Sequence, residues 1–263
     1  MITASVGFQC PQCVREGAAP PVRTAAGGVV RQGRPGVLTR AIIAVCVVAF
    51  VLEAAFNPAV IARFSMLPPA IADGQYYRLV TAAFLHESLL HIALNMWALW
   101  IVGPVVEQAF GRLRFSVIFV AALLGGSVAS YVFGSALTAS VGASGAIFGL
   151  FGALAVVHRK AGVSLRPIAI LIGLNLVLSF TVPGIDWHAH IGGLVVGTAV
   201  AAAYALPPPR LRTPIVLAVL ATFALAGVLG VALRTASLRS EYALQGIPLT
   251  TIERQVPPVS LTF

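Results

Sequence analysis

Charge is what this sequence has least of. Only 10% of its 263 residues are Asp, Glu, Lys or Arg, against about 25% in an ordinary soluble domain. Acidic residues are the scarcer kind, eight against seventeen Lys or Arg, and 59% of the chain is hydrophobic. So few charges cannot cover the surface of a water-soluble fold, which excludes a soluble enzyme or a soluble binding module. What remains is a polytopic membrane protein, with the lipid bilayer as its surroundings. A formal net charge of +9 would suggest nucleic acid in a soluble protein. In a membrane protein the excess Arg instead marks cytoplasmic loops, and no nucleic-acid partner is expected.

Cysteine is scarce too. Cys46 lies inside an apolar run and reads as packing. Cys10 and Cys13 form C-P-Q-C, half of a zinc site or a redox pair. A structural zinc site takes four ligands, and the chain offers no second pair. No metal and no cofactor are expected.

Long apolar runs are abundant. A spanning helix needs ~20 mostly apolar residues, and seven stretches qualify, at about 38–56, 90–109, 115–133, 142–158, 166–182, 188–206 and 213–233. The fourth and fifth are short and interrupted by Gly or polar residues. The fold class expected is all-α, a polytopic helical bundle of six core helices (38–206) followed by a loop and a seventh helix (207–234). Residues 1–37 are polar, basic and rich in Gly and Pro, which predicts a largely disordered cytoplasmic segment. They lack the charged, apolar and cleavage regions of a secretory leader, so the first span is expected to be retained. Residues 235–263 read as a polar tail.

Loop charges set the orientation. Arg15, Arg23, Arg31, Arg34 and Arg40 precede or open span one. Arg112 and Arg114 follow span two, Arg159, Lys160 and Arg166 follow span four, and Arg210 and Arg212 follow span six. The alternate loops hold only Arg63 and Arg78, both in the long 57–89 connection. This bias places the N-terminus and the even-numbered loops in the cytoplasm and the tail after span seven outside it. Spans two, four and six then all start at the outer face.

Polar residues inside a bilayer are costly and are functional candidates by default. Span two opens H-E-S-L-L-H-I-A-L-N, with His86, His91 and Asn95. Span four opens around G-A-S-G-A-I-F-G, with Ser144. Span six opens W-H-A-H-I-G-G, with His188 and His190. These groups therefore share one depth on three helices. His91 and Asn95 are four apart and lie on one helical face, as do Ser144 and Phe148. Gly145 and Gly149 in span four match Gly193 and Gly197 in span six. Small residues at that spacing let helices approach closely, which would bring Ser144 within hydrogen-bonding reach of His190. Taken alone, these residues leave other roles open. Ser144 could be a packing hydroxyl, Asn95 could join helices, His188 could replace His190, and His86 could be structural or handle water. Glu53 has no assigned role. Asp186, just ahead of the last helix, reads as its cap.

The four motifs H-E-S-L-L-H-I-A-L-N, G-P-V-V-E-Q-A-F-G-R-L-R-F, G-A-S-G-A-I-F-G and A-H-I-G-G-L-V-V-G, in this order over roughly 57–206, resemble the rhomboid intramembrane serine proteases. The resemblance implies a seven-span bacterial form in the inner (plasma) membrane, cleaving transmembrane segments of other membrane proteins near the outer leaflet with a Ser–His dyad. It implies Ser144 as nucleophile and His190 as general base. His91, Asn95 and the Ser144 backbone N–H would form the oxyanion hole. Phe148 would pack on the catalytic histidine, with Gly142, Gly145 and Gly193 in support, and Glu107 would be a structural residue of the loop after span two. Tyr77-Arg78 stands where the family often has Trp-Arg in a partly embedded outer loop. C-P-Q-C resembles the end of a cysteine-rich cytoplasmic region of some members. The alternative function is a non-catalytic rhomboid-like binder of transmembrane helices. A transporter fits less well: it should show related halves or helices broken near the midplane, whereas here the polar cluster lies at one end. The sequence names neither a substrate nor an oligomeric state.

Overall fold

The computed structural model describes residues 36–56 and 59–249, together with two short N-terminal strands. The strands, Ile2–Thr3 and Phe8–Gln9, pair antiparallel. Everything else regular among the described residues is helical, so the fold is an all-α helical bundle. Cys10 and Cys13 lie outside the described residues.

Seven long helices follow the seven apolar stretches. They are α1 (Val37–Phe56), α5 (Leu89–Phe110), α6 (Arg112–Phe133), α7 (Ser144–Ala161), α8 (Arg166–Thr181), α9 (Trp187–Ala205) and α10 (Pro209–Leu244). Three short helices fill the connection after α1: α2 (Ala59–Phe64), α3 (Pro68–Ala72) and α4 (Arg78–Thr81), with a 3₁₀ turn at Ala82–Phe84. Among the described residues α5, α6, α9 and α10 are long and apolar enough to cross a membrane by length and composition, and α8 is a shorter apolar helix. The last turn of α7 carries His158, Arg159 and Lys160, which dilutes its apolar character.

The bundle centre is α7, packed against α6 and α9. Its core comprises Phe115, Ile118 and Phe119 of α6, Ile147, Leu150 and Phe151 of α7, and Val196 and Val200 of α9. Glycine sets how near the helices come. A Cβ on Gly193 would fall onto the Gly145 carbonyl oxygen, and one on Gly197 would lie 2.7 Å from the Gly149 carbonyl oxygen. The small-residue faces expected on spans four and six therefore do meet, backbone to backbone.

Two features differ from the sequence expectation. Glu107 is not in a loop: it is buried in the last turn of α5. Its carboxylate accepts the backbone N–H groups of Leu38 (3.2 Å) and Thr39 (3.0 Å) and the Thr39 hydroxyl (3.0 Å). It thus caps the first turn of α1 from a neighbouring helix, where unpaired N–H groups and the positive dipole end favour an anion. The second difference is α10, which runs on to Leu244, past the expected end at 233–234. Its extension carries arginines and serines, so hydropathy alone ends the span early. Thr235, Leu238 and Tyr242 nonetheless fall on one face and are buried. Leu238 and Tyr242 pack with Met66, Ile71, Ala72, Ala82 and Tyr131, and Thr235 hydrogen-bonds Tyr131 at 2.8 Å.

The outer connection is held by Arg78, whose side chain is fully buried. It donates to the carbonyls of Ala62 (2.8 Å) and Ser65 (2.9 Å) and to Gln75 Oε1 (2.9 Å). Met66 and Ser140 exchange two backbone hydrogen bonds of 2.9 Å, and Gly142 N–H donates to Ala82 O at 2.9 Å. The segment just before Ser144 is thereby fastened to the outer connection.

Candidate active site

Ser144 is the first residue of α7 and His190 lies in the first turn of α9. Because the glycine faces press these helices together, the Ser144 hydroxyl comes to 2.7 Å from His190 Nε2. His190 is buried and Ser144 half-buried. Phe148, one turn along α7, lies flat on the imidazole, with ring centroids 4.2 Å apart and planes 13° from parallel. On the far side of the ring, Nδ1 is 2.7 Å from the hydroxyl of Ser179, on α8.

His188 goes elsewhere. It stacks on Trp187 with centroids 3.7 Å apart, and its Nδ1 is 3.5 Å from Asp186 Oδ1. Asp186 caps α9 as expected, accepting the Ala189 N–H at 3.1 Å. Its second carboxylate oxygen is taken by the Ser130 hydroxyl. Of the two histidines, only His190 reaches Ser144.

His91 sits in the first turn of α5, where Ser88 caps the helix through the His91 N–H at 3.2 Å. Gly142 brings its ring near Ser144. The glycine has φ +126°, a conformation L side chains rarely adopt. A Cβ there would lie 2.8 Å from His91 Nε2 and 3.8 Å from Ser144 Oγ. One glycine therefore separates the imidazole from the hydroxyl, and a side chain would close the gap. Asn95, buried one turn further along α5, gives one amide N–H to the His91 carbonyl at 2.9 Å and keeps the second N–H.

Behind His91 lie groups the sequence left open. His86 is fully buried and meets the His91 ring edge-on, centroids 5.1 Å apart. Among the described residues neither of its ring nitrogens, and neither carboxylate oxygen of buried Glu53 on α1, has a partner at full hydrogen-bond geometry. Among the described residues no group of three or more His, Cys, Asp or Glu is placed to hold a metal ion.

Ser179 was missed by sequence reasoning. The signal was available: Asn175 and Ser179 are polar residues four apart within an otherwise apolar span, and such residues are functional candidates.

A helical membrane bundle with a serine–imidazole pair one turn inside one end is the class that fold and site define. Comparison with known proteins narrows it. A family model described as the Rhomboid domain matches residues 73–207, which hold all the residues of this site. The chain belongs to the rhomboid family. It is 46% identical over 144 residues to rhomboid protease GluP of Bacillus subtilis, covering 52% of this chain and 28% of that protein. It is 36% identical over 135 residues to RHOMBOID-like protein 5 of Arabidopsis thaliana, covering 48% and 43% of the two chains. RHOMBOID-like protein 6, mitochondrial, from the same plant is 34% identical over 134 residues, covering 48% and 43%. The chain thus spans less than half the length of these relatives.

Proposed function

We propose that this protein is an intramembrane serine endopeptidase in which Ser144 is the nucleophile and His190 the general base. The observation that carries the reading is the 2.7 Å contact between Ser144 Oγ and His190 Nε2. Ser144 Oγ attacks the scissile carbonyl carbon and passes its proton to Nε2. The tetrahedral intermediate places negative charge on the former carbonyl oxygen. His91, the second N–H of Asn95 and the Ser144 backbone N–H are the donors that meet it. The C–N bond then breaks, and the imidazolium gives its proton to the leaving amine. A water molecule, losing a proton to His190, hydrolyses the acyl-serine ester, and that proton returns to Ser144.

The substrates are transmembrane segments of other membrane proteins. A helix hides its carbonyls in hydrogen bonds, so a substrate must unwind locally to be attacked. Arg159 and Lys160 at the end of α7, Arg166 at the start of α8, and Arg210 and Arg212 at the start of α10 support a cytoplasmic position for the α7–α8 and α9–α10 loops and an outer-leaflet position for the site, in the plasma membrane of a bacterial cell. Topology reporters test this: one in the 162–165 loop should read cytoplasmic, one after Ile247 extracytoplasmic.

The rival reading, a non-catalytic binder of transmembrane helices, has no need of a hydroxyl aligned on an imidazole nitrogen. The deciding experiment is incubation of the purified protein with a fluorophosphonate probe and a transmembrane reporter. Labelling of Ser144, with cleavage lost in Ser144→Ala, is expected. Unlabelled Ser144, or cleavage retained by Ser144→Ala, refutes the assignment.

A further inference from the structure

Of the sixteen residues of α8, only Ile168 and Ser179 are buried. A buried hydroxyl on an otherwise largely exposed apolar helix needs good partners. Ser179 has two: the carbonyl of Asn175, 2.6 Å away, and Nδ1 of His190, 2.7 Å away.

These two contacts together fix a proton. A serine hydroxyl has one hydrogen and two acceptor lone pairs, and a carbonyl oxygen can only accept. The Ser179 hydrogen therefore goes to Asn175 O. The Ser179 oxygen is left as an acceptor, so the hydrogen between it and the ring belongs to Nδ1. A neutral imidazole carrying its proton on Nδ1 has its lone pair on Nε2, and Nε2 is the atom facing Ser144. Asp186 is engaged elsewhere: its carboxylate accepts the Ala189 N–H and the Ser130 hydroxyl and lies 3.5 Å from His188 Nδ1.

We infer that Ser179 is a positioning residue for the reaction: its hydroxyl holds His190 in the Nδ1–H tautomer, with Nε2 free to take the Ser144 proton. The inference rests on the reading of Ser144 and His190 given above. When the Ser144 proton moves to Nε2, the imidazolium keeps its Nδ1–H on the Ser179 oxygen, so this hydrogen bond persists through the step and gains a charged donor. Phe148 fixes the plane of the ring, and Ser179 fixes its rotation within that plane.

A purely structural Ser179 would only tie α8 to α9. The two roles are separated by ¹⁵N NMR of histidine-labelled protein in detergent, read beside kcat and KM. In the wild type, His190 should carry its proton on Nδ1. In Ser179→Ala the tautomers should mix, with kcat lowered roughly ten- to hundredfold and KM little changed. That is less than the ~10⁴ lost when a serine protease histidine is held in the wrong tautomer, because here the right one is merely no longer enforced. Ser179→Thr keeps the hydroxyl and should keep both the tautomer and most of kcat. An Nε2–H tautomer in the wild type overturns the inference, even if Ser179→Ala fails to fold. So does a Ser179→Ala protein with unchanged tautomer or unchanged kcat. Absence of cleavage by the wild type would instead refute the protease reading, and the NMR measurement would still decide the tautomer.

Discussion

Phe148 lies parallel to the imidazole of His190 at 4.2 Å between centroids, on the same α7 helix that carries Ser144. The residue four positions after Ser144 is thus the plate on which the His190 imidazole rests. Stacked rings of this kind contribute about 0.5–1.5 kcal/mol beyond their buried area. If that term orients the base, losing it is worth up to about tenfold in rate. Phe148→Leu should accordingly lower kcat about three- to tenfold, whereas Phe148→Tyr, which keeps the aromatic face, should retain it. Full kcat in Phe148→Leu would reduce the stack to ordinary packing.

The glycine contact makes a different prediction. A Cβ on Gly193 would collide with a backbone oxygen of Gly145, which cannot rotate away as a side chain can. Gly173 on α8 has nothing within 4 Å of its missing Cβ. Gly193→Ala should lower the thermal unfolding temperature and activity together. Gly173→Ala should leave stability unchanged or raise it slightly, since Ala suits a helix interior better by about 1 kcal/mol. Equal behaviour of the two variants would contradict the close approach of α7 and α9.

Much of this arrangement was legible in the sequence, for physical reasons. Seven apolar runs gave the seven long helices, of which four among the described residues are long and apolar enough to cross a bilayer. Ser144, His91, Asn95 and His190 were visible because a polar group among apolar neighbours stands out. The meeting of Ser144 with His190 was visible because Gly145, Gly149, Gly193 and Gly197 repeat at the spacing of one helical face. What stayed hidden was long-range hydrogen bonding. Nothing local shows that Glu107 reaches Thr39, 68 positions away, or that Arg78 organises the outer connection through carbonyls of Ala62 and Ser65. The extension of α10 hid for another reason: its buried face is paid for by only three residues among many polar ones.

Glu107 gives a prediction about stability rather than rate. It accepts from three donors at the start of α1, and removing it strands two backbone N–H groups and a hydroxyl. Hydrogen bonds to a charged group are worth about 1.5–3 kcal/mol, and stranded buried donors add to the cost. Glu107→Ala should destabilise the protein by about 3–5 kcal/mol, and Glu107→Gln, which keeps one acceptor oxygen, by roughly half as much. Thermal unfolding in detergent measures both. Below the transition, Ser144 should still label with fluorophosphonate. An unchanged unfolding temperature in Glu107→Ala would mean that the cap contributes nothing.

The last prediction separates the oxyanion donors from the Ser–His pair. His91 and Asn95 are proposed to meet a charge that exists only during reaction, so their loss should act on kcat rather than KM. They should not count equally. His91 Nε2 borders the Gly142 gap beside Ser144, whereas Asn95 has already given one N–H to the His91 carbonyl. His91→Ala should therefore cost about 10²–10³ in kcat, as loss of one oxyanion donor does elsewhere, and Asn95→Ala about tenfold. Gly142→Ala is the geometric counterpart. Its methyl would press on His91 Nε2 and strain the backbone at positive φ, so it should lower kcat while His91 itself is intact. In all three variants the ground-state Ser144–His190 hydrogen bond remains, and Ser144 should still label, though more slowly. Kinetics in liposomes beside probe labelling measure each effect. Unchanged kcat in both His91→Ala and Asn95→Ala would leave these residues as packing groups, with the oxyanion held by backbone N–H groups alone.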